Sequence, residues 1–408
     1  MAACDVTDRV GLETERNSHA QPNRRTSVGL LHPKRTRIVE FLSTNDVRRP
    51  TSNQSGPLLP MEARELFSPH APIRGENKDS YPSVLWWDGN KTASRVIWYG
   101  KSKREYRLTG FQRGFPHLTT LGIGSLFVLV PTSELLDSFE AFIVDLDEDI
   151  DQLFEALGVE VIRPWGGVYR SSAPVVLENE DECVAVSLRK FASQIKAFPD
   201  TATMSEATAK IINGCYPDFA SWTADKQLLE LHQREYELFR LVEQIFFGKE
   251  IRDKVFATVD DFLSAARPLQ NRRMSRAGRA LENHVGTLFR HAGIPFDVRS
   301  DIKGRPDVVI PSTAAYRDGK FPDEKLFVVG IKTSCKERWR QILEEAPRVK
   351  RRYLLTLQQG VSENQIDLMT QAGITLVVPK PYHTRYPRNC RSRLLTIEGF
   401  ISLVRKTV

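Results

Sequence analysis

Gly304-Arg305-Pro306-Asp307-Val308-Val309-Ile310, then Leu326-Phe327-Val328-Val329-Gly330-Ile331-Lys332, then Lys336-Glu337-Arg338-Trp339-Arg340-Gln341-Ile342-Leu343-Glu344-Glu345 decide how this chain of 408 residues is read. A Pro-Asp pair opens one apolar run, a lysine 25 positions later closes another, and a glutamate stands 13 beyond the lysine. Carboxylates hold a hard divalent cation through oxygen. Such a cation polarises a scissile phosphate and lowers the pKa of a bound water, and a lysine sets positive charge where the transition state gains negative charge. The pattern is that of a metal-dependent phosphodiesterase, with one departure. The acid that usually stands two residues before the lysine is replaced by Gly330, which binds nothing. Segment 336–345 reads as a helix whose carboxylates reach back to the space that Gly330 leaves. Glu344 and Glu345 both qualify, but they point roughly 100° apart on a helix, so one alone can serve.

Working outward, 275–291 is a predicted helix with Ala277, Leu281, Val285 and Leu288 inward and Gly293 as its stop. Strands are expected at 295–299, 307–310, 326–331, 353–357 and 374–378, and a further helix at 362–372. This order implies a mixed sheet flanked by helices, with the candidate ligands at strand ends on one side, where open sheets place their sites. Upstream, 226–247 reads as a helix ended by Gly248. Segment 171–184 is acidic and proline-containing and reads as a linker. Residues 36–170 hold short β-type runs at 84–87, 95–99, 125–130 and 139–144, the pattern of a barrel or sandwich, with helices at 61–67 and 150–157. Residues 1–35 are polar and aperiodic, a loose arm. Two domains are therefore expected, 36–170 and 185–408, the second with a core at about 270–380.

Lys and Arg outnumber Asp and Glu by 58 to 51, a net charge of +7 that suits a polyanionic partner. There is no run of 18 apolar residues and no leader-like N-terminus, so neither a membrane span nor export is expected and the cytoplasm is the expected location. The five cysteines (4, 183, 215, 335 and 390) lack zinc spacing and are expected as reduced thiols. Lys101, Lys103, Glu105 and Arg107 alternate, which on a strand sets all four on one face and suits phosphate anchoring with groove reading. Arg donates bidentately to guanine and Glu accepts from cytosine, so Lys336-Glu337-Arg338 could read a C:G pair.

These residues resemble the EcoRII-type restriction endonucleases. The likeness lies in 271–282 (Asn-Arg-Arg-Met-Ser-Arg-Ala-Gly-Arg-Ala-Leu-Glu), Pro306-Asp307, Ala315-Tyr316, 332–343, 353–362 and 376–379. A weaker, collinear likeness covers 36–270, through 42–46, 101–109 and 236–243. The resemblance implies a C-terminal PD-(D/E)XK nuclease domain and an N-terminal B3-like pseudobarrel that binds a second target copy as effector. It implies the target CCWGG, cut before the first C with Mg²⁺. Members with the displaced acid use a glutamate 13 residues after the lysine, which selects Glu345. Asp307 and Glu345 would then be the metal ligands and Lys332 the phosphate-facing charge, with Glu282 a further active-site carboxylate and Tyr316 and Lys336 assisting. The tripeptide 336–338 would contact the target, and Lys101, Lys103, Glu105, Arg107, Asn53 and Gln54 the effector. A two-fold target implies a homodimer on double-stranded DNA, and host protection implies a partner cytosine DNA methyltransferase. If the N-terminal domain masks the catalytic cleft, removal of residues 1 to about 180 should give a fragment that cuts single-site DNA. The alternative is a DNA-binding regulator with a decayed nuclease domain.

Overall fold

Period-two alternation in the first long strand sets Ile38 on one side and Val39 and Phe41 on the other, and both sides are buried. The computed structural model describes residues 36–407 apart from 48–55, 68–72, 112–114, 134–135, 159–165, 171–181, 254–257 and 346. The strand Thr36–Phe41 lies inside a six-stranded sheet, between Gly167–Arg170 and Leu126–Pro131, followed by Ser138–Val144, Ser83–Trp86 and Lys91–Ala93. One face of this sheet packs on a four-stranded sheet through Ile38, Trp86, Trp98, Leu108, Phe127 and Phe139. The other face carries the helix Asp147–Leu157, which buries Ile150, Leu153 and Leu157 against Val39, Val128 and Phe142. The region is β-rich as expected, and its helix begins earlier than 150.

Four helices follow: Glu182–Gln194, Thr201–Cys215, Ala224–Asp253 and Val259–His291. Three expectations are corrected here. Gly248 does not end its helix, which runs on to Asp253; one glycine costs only about 1 kcal/mol in a helix interior. The helix expected at 275–291 starts at Val259, behind a Thr258/Asp261 capping box. Of the expected linker, 171–181 lies outside the described residues, and 182–184 is already helical. The thiol expectation also fails at one pair: Cys183 and Cys215 form a disulfide, because two neighbouring helices bring residues 32 apart in sequence side by side. Cys335 and Cys390 are free and buried.

The C-terminal sheet runs in the order Asp297–Val298, Val308–Ile310, Phe327–Lys332, Arg352–Thr356, Ile374–Val377. Its first three strands pair antiparallel and the last three parallel, the mixed sheet expected. Leu281, Val285, Leu288 and Phe289 from the long helix and Phe400, Ile401 and Val404 from Ile397–Thr407 complete its core. Between the parallel strands Phe327–Lys332 and Arg352–Thr356, the predicted α-helix is instead a 3-10 segment, Arg338–Glu344. It is seven residues long, shorter than a self-supporting α-helix.

Candidate active site

Antiparallel register between Val308 and Val329 sets Asp307 across from Gly330 at the strand end. There Asp307 Oδ2 accepts two bonds of 2.7 Å, from the Ile331 N–H and from Lys332 Nζ. The space beyond Gly330 is not vacant, contrary to expectation. A Cβ at this position would stand 2.6 Å from Ile342 Cδ1, so the Ile342 side chain would have to move to admit an acid there. That close approach presses the 3-10 segment onto the strand and delivers Glu345 just past its last turn. Gly304 closes the other side: its φ is +81° and an added Cβ would meet Glu345 Cα at 2.5 Å, so the Pro-Asp loop can lie on this backbone only with glycine there. Glu345 is 7% exposed, and among the described residues its buried Oε2 has no hydrogen-bond partner. Burial first and the Asp307 charge second push its carboxyl up to about 7, against Lys332 and Arg352. Glu344 next door is exposed.

Two carboxylates, one with an unsatisfied buried oxygen, fit a hard divalent ion. Among the described residues no group of three or more His, Cys, Asp or Glu converges. Mg²⁺ commonly takes one or two protein carboxylates and completes its shell with water and substrate phosphate.

The other site candidates scatter. Glu282 accepts from Arg299 Nη2 at 2.8 Å and Nε at 3.2 Å. The Arg299 N–H in turn donates to the Asp307 carbonyl at 3.0 Å, so Glu282 stands one residue away from the cluster. Tyr316 packs with Ile302 and Phe321, and its hydroxyl accepts the Arg348 N–H at 3.3 Å. The structure does not bring it to Lys332.

Lys336, Glu337 and Arg338 do not face open solvent as a set. Lys336 is buried, donates to Ser125 Oγ at 2.7 Å and pairs with Asp145. Burial pushes its ammonium down to about 8, against the neighbouring Glu337 charge. Asp147 Oδ2 accepts the Glu337 N–H at 3.0 Å and the Arg338 N–H at 3.3 Å, while Arg338 Nη2 donates to Asp151 Oδ2 at 2.8 Å. Arg273 joins Glu155 to Glu243. Asp147, Asp151 and Glu155 sit four apart on one helix, hence on one face. Their spacing was visible in the sequence, but their partners lie in the other region. A second junction is fully buried: Arg385 Nη2 donates to Glu40 Oε1 at 2.8 Å and to the Phe41 carbonyl, with Asp46 at 3.8 Å. Burial, then Asp46, holds the Glu40 carboxyl well above its usual range against Arg385.

The alternating reading of 101–107 fails. Lys101 and Lys103 lie exposed in a turn, Arg104 has φ 54°, and the strand begins only at Tyr106. Arg107 is buried, with Nη1 on Asp46 Oδ1 (3.0 Å) and the Gly56 carbonyl (2.8 Å) and Nε on Glu105 Oε1 (2.7 Å). Its guanidinium is committed to an internal ion cluster, whose Glu105 Oε1 also lies 4.0 Å from Lys103 Nζ. Asn53 and Gln54 lie outside the described residues.

Two family models match: "Restriction endonuclease EcoRII, N-terminal" over residues 33–172 and "EcoRII C terminal" over residues 239–401. The chain belongs to the EcoRII family. It is 43% identical over 181 residues to the type II restriction enzyme EcoRII of Escherichia coli, a match covering 44% of this chain and 45% of that protein. It is 30% identical over 142 residues to the type II restriction enzyme SsoII of Shigella sonnei, covering 32% of this chain and again 45% of the relative. The chain thus spans less than half the length of the curated relatives it matches. Among solved structures, metal-depleted Ecl18kI in complex with uncleaved, modified DNA aligns at TM-score 0.43 and 21% identity, covering 54% of this chain and 83% of that one. A PspGI–substrate DNA complex aligns at 0.43 and 15%, covering 51% and 94%. Within the EcoRII-family segments, Asp307, Lys332 and Glu345 fall in the C-terminal match, and Asp145, Asp147 and Asp151 in the N-terminal one.

Proposed function

We propose that this chain is a Mg²⁺-dependent type II restriction endonuclease, a PD-(D/E)XK enzyme that hydrolyses double-stranded DNA at a specific site, CCWGG. The observation that carries this reading is the buried, unpartnered Oε2 of Glu345 beside the Asp307–Lys332 pair. Asp307 and Glu345 would hold the ion, which when bound polarises the scissile phosphate and acidifies a water. Asp307 holds the Lys332 ammonium at the strand end, where it would meet the charge developing on the phosphate. Lys336, Glu337 and Arg338 would contact the target. The two-fold target calls for a homodimer, and a cytosine DNA methyltransferase would protect the host, in the cytoplasm. Among the described residues no helix is long and apolar enough to cross a membrane.

The N-terminal region is read as a B3-like domain that holds a second target copy, with the exposed Lys101 and Lys103 turn available to it, and that masks the first site. Four of its acids, Asp145, Asp147, Asp151 and Glu155, engage the tripeptide 336–338 and Arg273, and this supports masking. The test is Mg²⁺-dependent digestion of plasmids with zero, one and several CCWGG sites, with ends sequenced. Discrete cuts before CCWGG, faster with several sites, support the whole reading. Discrete cuts elsewhere discard the specificity and keep the nuclease. Binding without cutting at any Mg²⁺ concentration leaves a DNA-binding regulator.

A further inference from the structure

We infer that Arg352 and Gly304 clamp the main chain of Glu345 from two sides and so set the affinity of the metal site, which makes Arg352 a positioning residue for the proposed cleavage. The inference rests on the reading of Glu345 as a metal ligand. Glu345 sits in extended backbone (φ −79°, ψ 133°) immediately after the 3-10 segment. It therefore lies outside regular structure, and a ligand on such a segment needs outside support to hold a fixed position. On one side the Gly304 backbone is packed so tightly that a methyl group would meet Glu345 Cα at 2.5 Å and the Glu344 carbonyl at 2.7 Å. On the other, Arg352 Nε donates to the Glu345 carbonyl at 2.8 Å.

Arg352 differs from the buried Arg107 and Arg385. Arg107 and Arg385 each touch carboxylates directly. Arg352 is 8% exposed, and among the described residues its guanidinium makes this one hydrogen bond and no ion pair. A buried guanidinium without a contacting anion is expensive, and its charge acts on the Glu345 carboxyl, which it favours in the ionised form. Its place at the first residue of Arg352–Thr356 anchors it to the sheet: the Arg352 N–H donates to the Gly373 carbonyl at 2.9 Å, and Arg352 pairs in register with Val328 and Ile374. The clamp thus ties the irregular side of the metal site to the strand beside the one that carries Lys332.

The test is calorimetric titration of Mn²⁺ into the full chain, with melting temperature and metal-free binding of a CCWGG duplex measured alongside. Glu345→Gln is the reference and should abolish tight Mn²⁺ binding; if it does not, the reading of Glu345 as a ligand fails, whatever Arg352 does. Given that loss, Arg352→Gln should weaken Mn²⁺ roughly 10-fold, the size expected for a residue that orients a ligand, with duplex binding unchanged. Arg352→Lys, which keeps charge and a donor, should recover most of the affinity. Gly304→Ala should weaken Mn²⁺ similarly with Arg352 intact, and it carries the test if Arg352→Gln does not fold. Parental Mn²⁺ affinity in Arg352→Gln or Gly304→Ala, with Glu345→Gln defective, would overturn the clamp.

Discussion

The proposed catalytic cluster and the tripeptide that follows Lys332 lie within a few residues of each other, yet they are held in opposite ways. Asp307, Lys332 and Glu345 are assembled by C-terminal elements alone: the Val308–Val329 register, the Gly330–Ile342 contact and the Gly304 approach. Lys336, Glu337 and Arg338 are held by Ser125, Asp145, Asp147 and Asp151 of the N-terminal region. The proposed chemistry is therefore built from C-terminal elements, while the surface proposed to read DNA is occupied by acids of the N-terminal region. Acids suit that task, since they satisfy the same cations and N–H groups that phosphates would.

The widest separation between the two sets should come from Lys332→Ala. Cleavage is expected to fall by roughly 10³-fold, as when a charge-stabilising donor is lost, with duplex binding retained in a gel-shift assay. Equal loss of both would merge the two sets and break the comparison. Next comes pH. Glu345 must ionise to hold a cation, and its carboxyl stands at about 7, so the Mg²⁺ midpoint should fall steeply between pH 6 and 8, on the order of 10-fold per unit below the pKa. Glu345 also makes the metal-free fold lose stability as pH rises from 4.5 through about 7, because the folded state binds that proton more tightly. Glu345→Gln should therefore be more stable than the parent at pH 8 without metal and no more stable at pH 4, measured by thermal melting. Glu40→Gln weakens the Arg385 junction alone and should raise one-site cleavage only a few-fold, measured as initial rates on a one-site plasmid. Smallest is Glu282→Gln. Its acid reaches the cluster only through Arg299, so a modest drop in rate with an unchanged Mg²⁺ midpoint is expected.

How far the sequence reached follows the same division. Asp307 and Lys332 were legible because their spacing fixes two strand ends, and the mixed sheet followed from apolar runs and turns. The Ile342 contact was not, since a glycine at 330 says only that something approaches, not what. The acids facing 336–338 were hidden by separations of 187 to 191 residues, although the four-residue spacing of Asp147 and Asp151 marked a helix face. The effector segment misled outright. Alternation of Lys101, Lys103, Glu105 and Arg107 reads as one strand face only if the strand starts before Lys101, and Arg104 at φ 54° interrupts it. Arg107 then turns inward to Asp46, a partner that no local pattern discloses. The disulfide likewise depends on how two helices pack.

The most direct test of the account is the rate at which Asp145→Asn/Asp147→Asn/Asp151→Asn cuts a plasmid with one CCWGG site in Mg²⁺. If these acids cover the DNA-reading tripeptide, the triple variant should cut one-site DNA at least roughly 10-fold faster than the parent, in line with losing several charge-assisted contacts, and added site-bearing duplex should no longer accelerate it. A variant that folds, binds DNA and still cuts one-site DNA at the parental rate, with full stimulation by added duplex, would contradict it.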